Sequence, residues 1–489
     1  MTATRPRCLP MLLSALLSTV ACFAGEIPGM VSVRECGAKG DGATDDTGAF
    51  QAAADRASEF GGTVFVDPVG PGKGYVLTRT VALKAGVSLV GSLAGMPFIA
   101  WEGVPREMQT GPVVLARPDA DQRIEGQRRP LFHLMGGNVL RGLYILYDEQ
   151  PWPSDEEFAD PASPYHYARQ DELAKRFLRD HVAPCGPTIY VQPGVASTTV
   201  EDITCGRYWD FFYTPSGGKI VISRCYLYGY KRAFALREAK DVVRISEIHI
   251  VPNVEKPISW QHSLLQAAIT SQPDNIAFDF GSVDGYSIAD ATAFLVHTGF
   301  KLGASVDNPF LDPITGERVS FGWGQGPWGS MHNIKLDNCV VGYDCVLGTI
   351  LTNQLTNAMV HVSLTDGAEV STEDGTVARQ AAFLVETGFA GATLQVCNLS
   401  LSSFAPLNVA ANGAMVQQAN GRAFLIDCPG IPEPKDYADR SRANLEIYNL
   451  AISNIPESHL LSVTAGTQPC VRVRGLTLNG VAREDGTLG

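Results

Sequence analysis

From about residue 197 onward the chain repeats one device: a short segment with apolar residues at alternate positions, a turn, and another such segment. Val200-Glu201-Asp202-Ile203, Ile220-Val221-Ile222, Val243-Arg244-Ile245, Ile334-Lys335-Leu336, Val360-His361-Val362, Leu394-Gln395-Val396, Leu445-Glu446-Ile447 and Val471-Arg472-Val473 carry it. Between equivalent positions the interval is 19 residues from 203 to 222, 23 from 222 to 245, 26 from 336 to 362, 34 from 362 to 396 and 26 from 447 to 473. A constant pattern at variable intervals describes a solenoid with loops of unequal length. A helical solenoid would need apolar residues at i, i+3 and i+4, whereas period two with Val and Ile enrichment belongs to strands. The fold class that survives is all-β: a single-stranded parallel β-helix, with Gly206, Gly229 and Gly342 closing strand-turn units. The 49 glycines and 30 prolines in 489 residues fit many tight turns and argue against helical bundles.

The open end of such a stack exposes unpaired strand edges and must be covered. Residues 45–60 supply an N-terminal capping helix: Asp45 or Asp46 as N-cap, Phe50, Ala53, Ala54, Ala57 and Phe60 as its apolar face, and Gly61-Gly62 as its stop. No comparable element is visible after the last repeat, so a folded-back loop or a second copy of the chain, making a homo-oligomer, is expected to close that end.

Residues 1–24 read as a signal peptide, with Arg5 and Arg7 before an apolar stretch and Cys22-Phe23-Ala24 at the cleavage site. Thr19-Val20-Ala21-Cys22 leaves lipid anchoring at Cys22 as the alternative. No later segment has the roughly 20 apolar residues of a membrane helix. The expectation is a secreted or periplasmic domain over 25–489, with insertions near 101–187 and 253–332 and a helix near 171–181. Of 11 cysteines, Cys8 and Cys22 fall in the leader, which leaves nine, too sparse for a disulfide framework. Cys225, Cys339 and Cys397 each follow a short strand and read as buried thiols stacked in successive layers. No zinc spacing or nucleotide-binding loop occurs. A net charge of −13 repels phosphate backbones, which excludes nucleic acid as a partner. A polyanionic sugar would need a local basic cleft or a bridging Ca2+.

Val33-Arg34-Glu35-Cys36-Gly37-Ala38-Lys39-Gly40-Asp41-Gly42-Ala43-Thr44-Asp45-Asp46-Thr47 resembles the opening signature of the pectate lyase superfamily domain of rhamnogalacturonase and epimerase-like proteins. Gly62-Thr63-Val64-Phe65-Val66 and Gly86-Val87-Ser88-Leu89-Val90-Gly91-Ser92 continue the resemblance in order. It implies a right-handed parallel β-helix of the pectin lyase type and, for many members, a polysaccharide substrate. It does not carry chemistry: of the polygalacturonase-type patterns only Asp45-Asp46 occurs, inside the cap, and the closely spaced arginines of calcium-dependent pectate lyases are absent.

In this architecture a sugar site is implied on an outward strand face. Aligning the turns at Gly206, Gly229 and Gly342 puts Arg207 and Asp210, then Lys231, Arg232 and Arg237, then Asp344 on one column. With Phe211, Tyr213, Phe234 and Leu236 inward, alternation sends Asp210 and Arg237 outward with Arg232 at the corner. Asp210, Lys231, Arg232, Arg237 and Asp344 are therefore the candidate catalytic residues. A lyase needs a base and a cation, which Lys or Arg with bound Ca2+ would supply, and a hydrolase needs two carboxyls, for which Asp210 and Asp344 are the pair considered. Trp209, Trp260, His262, Trp323 and Trp328 are candidate substrate contacts, since flat aromatic faces suit pyranose rings. His297 and His332 are weaker acid-base candidates, and Asp274, Asp279, Asp284 and Asp290 recur without EF-hand spacing. No metal ligand set is identifiable. The expected function is an exported lyase or glycoside hydrolase acting on a pectin-like or uronate-containing polysaccharide; the alternative is a non-catalytic carbohydrate-binding or structural β-helix.

Overall fold

A computed structural model describes residues 29–93, 98–99, 102–103, 110–150, 160–162, 179–250, 274–303, 314, 327–346, 352–362, 369–372, 375–378, 381–386, 393–403, 407–409, 415–417, 422–426, 444–453, 460–463 and 470–479. The alternating segments form strands that pair with their counterparts one coil later, always in parallel, in a single 21-stranded sheet. The result is a parallel β-helix. One strand column runs from Val139–Leu146 through Val195–Ile250, Ile276–Phe294, Trp328–Cys339, Thr352–Val362, Thr393–Ser403 and Asn444–Ser453 to Cys470–Asn479. A second joins Phe132–Leu134, Ile189–Val191, the middle of Val195–Ile250, the start of Ile276–Phe294, Thr298–Leu302, Val341–Val346 and Ala381–Glu386.

Every rung of the first column bends at one position. Gly142, Asp202, Arg224, Glu247, Asp290, Asn333, Asn357, Asn398, Asn449 and Gly475 all have positive φ, the eight non-glycines between 52° and 58°. Asn and Asp tolerate this left-handed geometry best. Their side chains also bond along the stack: Asn449 Nδ2 donates to Asn398 Oδ1 at 3.1 Å, Asn398 Nδ2 to Asn357 Oδ1 at 2.9 Å and Asn333 Nδ2 to Asp290 Oδ1 at 2.6 Å. Where the ladder is charged, Arg224 grips Asp202 at 2.7 and 3.1 Å.

Inside the second column, side chains of like kind meet in register. Phe234, Phe278, Phe300, Tyr343 and Phe383 are fully buried and stacked, with centroids 5.3, 4.4, 5.2 and 4.7 Å apart. Such pairs contribute about 0.5–1.5 kcal/mol each beyond their buried area. The three expected cysteines do not stack. Cys225 follows the bend residue Arg224, Cys397 precedes the bend residue Asn398, and Cys339 pairs with Val362 at a strand end, so the three occupy different positions along their strands. Burial pushes the Cys225 thiol up to about 12, in keeping with an inert packing role.

The N-terminal helix spans Thr47–Ser58 and buries Phe50, Ala53, Ala54 and Ala57. Phe60 lies past the last turn and is 53% exposed, so it is not part of the apolar face. The N-cap position is Asp46, which makes no side-chain capping bond; Asp45, one residue earlier, accepts from Thr47 N at 3.0 Å, and its other oxygen accepts from Thr78 Oγ1 at 3.1 Å and Arg79 at 3.3 Å. Asp46 instead accepts from the Lys39 and Gly40 amides at 2.6 and 3.0 Å and holds the preceding turn. Asp45→Ala is expected to cost about 1 kcal/mol, read as a lower denaturation midpoint, because the first-turn amide loses its acceptor.

The stretches expected as insertions also hold rungs: Val113–Ala116, Phe132–Leu134 and Val139–Leu146 fall within 101–187, and Ile276–Phe294 and Thr298–Leu302 within 253–332. The helix expected near 171–181 lies mostly outside the described residues. At the far end, Val473, Leu476 and Leu478 register with the buried Ile447, Leu450 and Ile452 yet are 40%, 51% and 38% exposed. No strand pairs beyond this rung among the described residues.

Candidate functional site

Alternation in the second column assigns the outward positions. Asp279 lies between the core residues Phe278 and Phe280, Lys301 between Phe300 and Leu302, and Asp344 between Tyr343 and Cys345, so all three face away from the core. They are also in register: Asp279 pairs with Lys301, and Lys301 with Asp344. Three consecutive rungs thus carry a carboxylate, an ammonium and a carboxylate. At about 4.8 Å per rung the two aspartates stand about 10 Å apart along the stack. The same row continues toward the N-terminus as Ala235, Tyr213, Tyr190 and His133. Tyr213 therefore faces outward and Phe212 takes the inward position, the reverse of the expected alternation at this rung. The Tyr190 and Tyr213 rings stack at 6.0 Å, and His133 meets Tyr190 edge-on at 5.3 Å.

This face is closed rather than open. Tyr190, Tyr213 and Ala235 form a buried cluster apart from the main core, with Ile314 packed against it. Asp279 is 2% exposed, Asp344 7% and Arg237 0%. The surface basic patch expected of Asp210, Arg232 and Arg237 is instead a buried ion network. Arg232 grips Asp210 at 2.7 and 3.2 Å and approaches Asp279 at 3.8 Å, while Arg237 donates to Asp279 at 2.9 Å and lies over the Tyr213 ring at 5.6 Å. Burial by itself would raise the Asp279 carboxyl, but the charges of Arg237, Arg232 and Lys301 outweigh it and hold the group below its ordinary range. Asp210 is lowered in the same way: burial opposes, and Arg232, Lys231 and Arg237 prevail.

The sign of the resulting pH dependence follows. A carboxyl whose folded pKa is depressed adds stability that is complete above its unfolded value, about 3.9, and is lost as pH falls through the folded value. Stability should therefore be level from neutrality to about pH 5 and then decline steeply below about pH 4. A denaturant midpoint measured across that range checks it, and a midpoint that stayed level to pH 2 would contradict the network.

The expected pair of Asp210 and Asp344 is not formed. Asp210 registers with Arg232, and that line continues through Ile276 and Thr298 to Val341, so Asp344 is four rungs away and three residues further along, about 19 Å or more. The turn alignment failed because Gly342 registers with Gly299, four positions beyond the equivalent of Gly229. Lys231 bonds the exposed Asp274 at 3.0 Å and lies 5.4 Å from the Trp209 ring, which is half-buried. Trp328 is 39% exposed but pairs with Asp284 at the start of the first column, away from the aspartate row. Trp260, His262 and Trp323 lie outside the described residues. His297 is buried against Thr298, and His332 bonds Thr356 on the other sheet face.

Lys301 was not singled out from sequence, and Asp279 only within a spaced set of aspartates. The signal for both was the 22-residue step from 279 to 301, the same step that separates Asp210 from Arg232. A calcium role does not fit: Asp279 is occupied by arginine, Lys301 separates it from Asp344, and no group of three or more metal-type side chains converges among the described residues. No helix among them is long and apolar enough to cross a membrane.

Residues 30–108 match the sequence profile of the family described as Rhamnogalacturonase A/epimerase, pectate lyase-like. No curated protein is similar in sequence. Among solved structures the chain is similar to an exopolygalacturonase from Thermotoga maritima, with 10% identity, 92% of each chain covered and a TM-score of 0.40. It is also similar to an endo-xylogalacturonan hydrolase from Aspergillus tubingensis, with 12% identity, 94% of each chain and a TM-score of 0.43. The A-module of a mannuronan C-5 epimerase from Azotobacter vinelandii aligns at 12% identity over 92% of this chain and 99% of that one, with a TM-score of 0.37.

Proposed function

We propose that the protein is an exported polysaccharide-active enzyme that cleaves a uronate-containing, pectin-like chain at the outward face bearing Asp279, Lys301 and Asp344. The observation that carries this reading is the order of those three residues on consecutive rungs. Two carboxyls about 6.5–9.5 Å apart suit hydrolysis with inversion, in which one protonates the leaving oxygen and the other activates water on the opposite side of the sugar. A separation of two rungs, about 10 Å along the stack, lies just above that window. Asp279, held ionised by Arg237, fits the base. Asp344 fits the acid, and Lys301 between them can face a sugar carboxylate. Hydrolysis is favoured over elimination because the row carries two carboxyls, the pair that hydrolysis requires. Arg232 and Arg237 hold the carboxylates, and Asp210 anchors Arg232.

A second reading, a binding or structural β-helix without turnover, draws on the burial of the row and on the arginines that already engage Asp279. One assay separates the two. The mature protein is incubated with pectic, rhamnogalacturonan, alginate and β-glucan polymers, with Ca2+ and with chelator, and both unsaturated-uronate absorbance and new reducing ends are recorded. Reducing ends without absorbance are expected. Absorbance would assign a lyase, and neither signal from folded protein would assign binding alone.

A further inference from the structure

The corner next to the aspartate row gathers positive charge that the cleavage chemistry does not use. Arg128, from the loop before Phe132–Leu134, and Lys231, about a hundred residues later, bring their charges to 6.0 and 5.4 Å from the centre of one indole, that of Trp209. The Cys185 thiol nearby is raised by burial and by the charge of Asp210, and lowered by the Trp209 backbone amide and by the charges of Arg123 and Arg128. Trp209 Nε1 and the Nε atoms of Arg123 and Arg128 are buried with no acceptor among the described residues. Two N–H groups lacking an acceptor, those of Trp209 and Arg128, beside the Arg128 and Lys231 cations form a donor-rich site on a protein of net charge −13. Asp274, 58% exposed, bonds the Lys231 ammonium, and the charge of Lys231 also acts on the buried Asp210 next to Trp209.

We infer that this corner is an anion subsite that takes the carboxylate of an acidic sugar, with the indole edge and the Arg128 and Lys231 charges as its recognition elements. Cations give the charge-assisted bonds that a sugar carboxylate needs, and an aromatic ring gives a surface for the apolar side of a pyranose. Lys231 is the neighbour of Arg232, which approaches Asp279 at 3.8 Å, so this corner and the proposed cleavage row are linked through one arginine. The class of anion rests on the reading of the substrate as uronate-containing; the donor cluster itself does not.

The test uses D-galacturonate, which has no glycosidic bond to break, so that binding and turnover are read separately. The mature protein is titrated with D-galacturonate, with neutral D-galactose and with sulfate, following tryptophan fluorescence at low salt. D-Galacturonate should bind, and D-galactose should bind at least about tenfold more weakly. Arg128→Met and Lys231→Met should each weaken D-galacturonate about tenfold without changing D-galactose. Trp209→Phe, which keeps a ring but removes the N–H, should weaken it several-fold. Each variant is accompanied by a melting curve, and Lys231→Met, whose ammonium is partly solvated, serves as the variant least able to disturb folding. Equal binding of D-galactose, undiminished binding by both methionine variants, or sulfate binding as tightly as D-galacturonate would each overturn the inference. D-Galacturonate binding without cleavage of any polymer would leave it standing and remove the proposed enzymatic function instead.

Discussion

Arg237→Met is expected to destabilise the fold by about 3–5 kcal/mol, because it strips the closest partner from a carboxylate that is nearly fully buried. Asp279 is 2% exposed and Arg237 fully buried, so neither can turn to solvent when the other is lost. Methionine keeps most of the volume, so the loss reports charge rather than a cavity. The companion variant Arg237→Met with Asp279→Asn leaves no buried charge uncompensated and should recover much of that loss. Denaturant midpoints of the two variants and the parent measure it. A single variant no less stable than the double would mean that Arg232 and Lys301 suffice for Asp279, and that Arg237 is not needed to hold it.

Asp344→Asn is expected to reduce turnover of the responsive polymer by about 10²- to 10⁴-fold, the usual contribution of one positioned acid or base. Its melting temperature should stay close to that of the parent, because asparagine is isosteric. Asp210→Asn should behave in the opposite way: it breaks the two bonds that fix Arg232, so stability falls while turnover per folded molecule is largely kept. The contrast tests which aspartate belongs to the chemistry. If Asp210→Asn abolished turnover in a stable protein and Asp344→Asn did not, the site would have to move four rungs toward the N-terminus.

The architecture was legible because period-two alternation reports burial directly, residue by residue. Val200, Ile222, Ile245, Leu336, Val360, Val396 and Ile447 all point into the core as their spacing implied. The cap was legible because Asp45, the alanines and Gly61-Gly62 lie within one short stretch, residues 45–62. The site was harder to read, for two physical reasons. Register across rungs depends on loop lengths, and one offset of four positions at Gly342 sufficed to align Asp344 with Asp210 instead of with Lys301 and Asp279. Burial of an outward face depends on what lies over it, and alternation alone cannot tell an outward arginine in water from Arg237, which is fully enclosed. Asp210 and Arg232, placed on one column from the sequence, bond each other across a single 22-residue rung without additions.

The bend shared by all rungs works on this chain as a reading frame works on a message. Successive bend residues are separated by 22 positions from Asp202 to Arg224, by 43 from Glu247 to Asp290 and by 51 from Asn398 to Asn449. Whatever is added between two of them is cancelled at the next, where the left-handed backbone and the side-chain ladder restore the same phase. Additions therefore do not accumulate: each alters one surface loop and leaves all later inward and outward assignments untouched. A single residue added beside a bend, within 355–360 for example, has no such correction and exchanges the two faces of its strand. The fold is thus permissive toward large insertions and intolerant of minimal ones, and that asymmetry lets a scaffold of this kind acquire new surface loops over an unchanged interior.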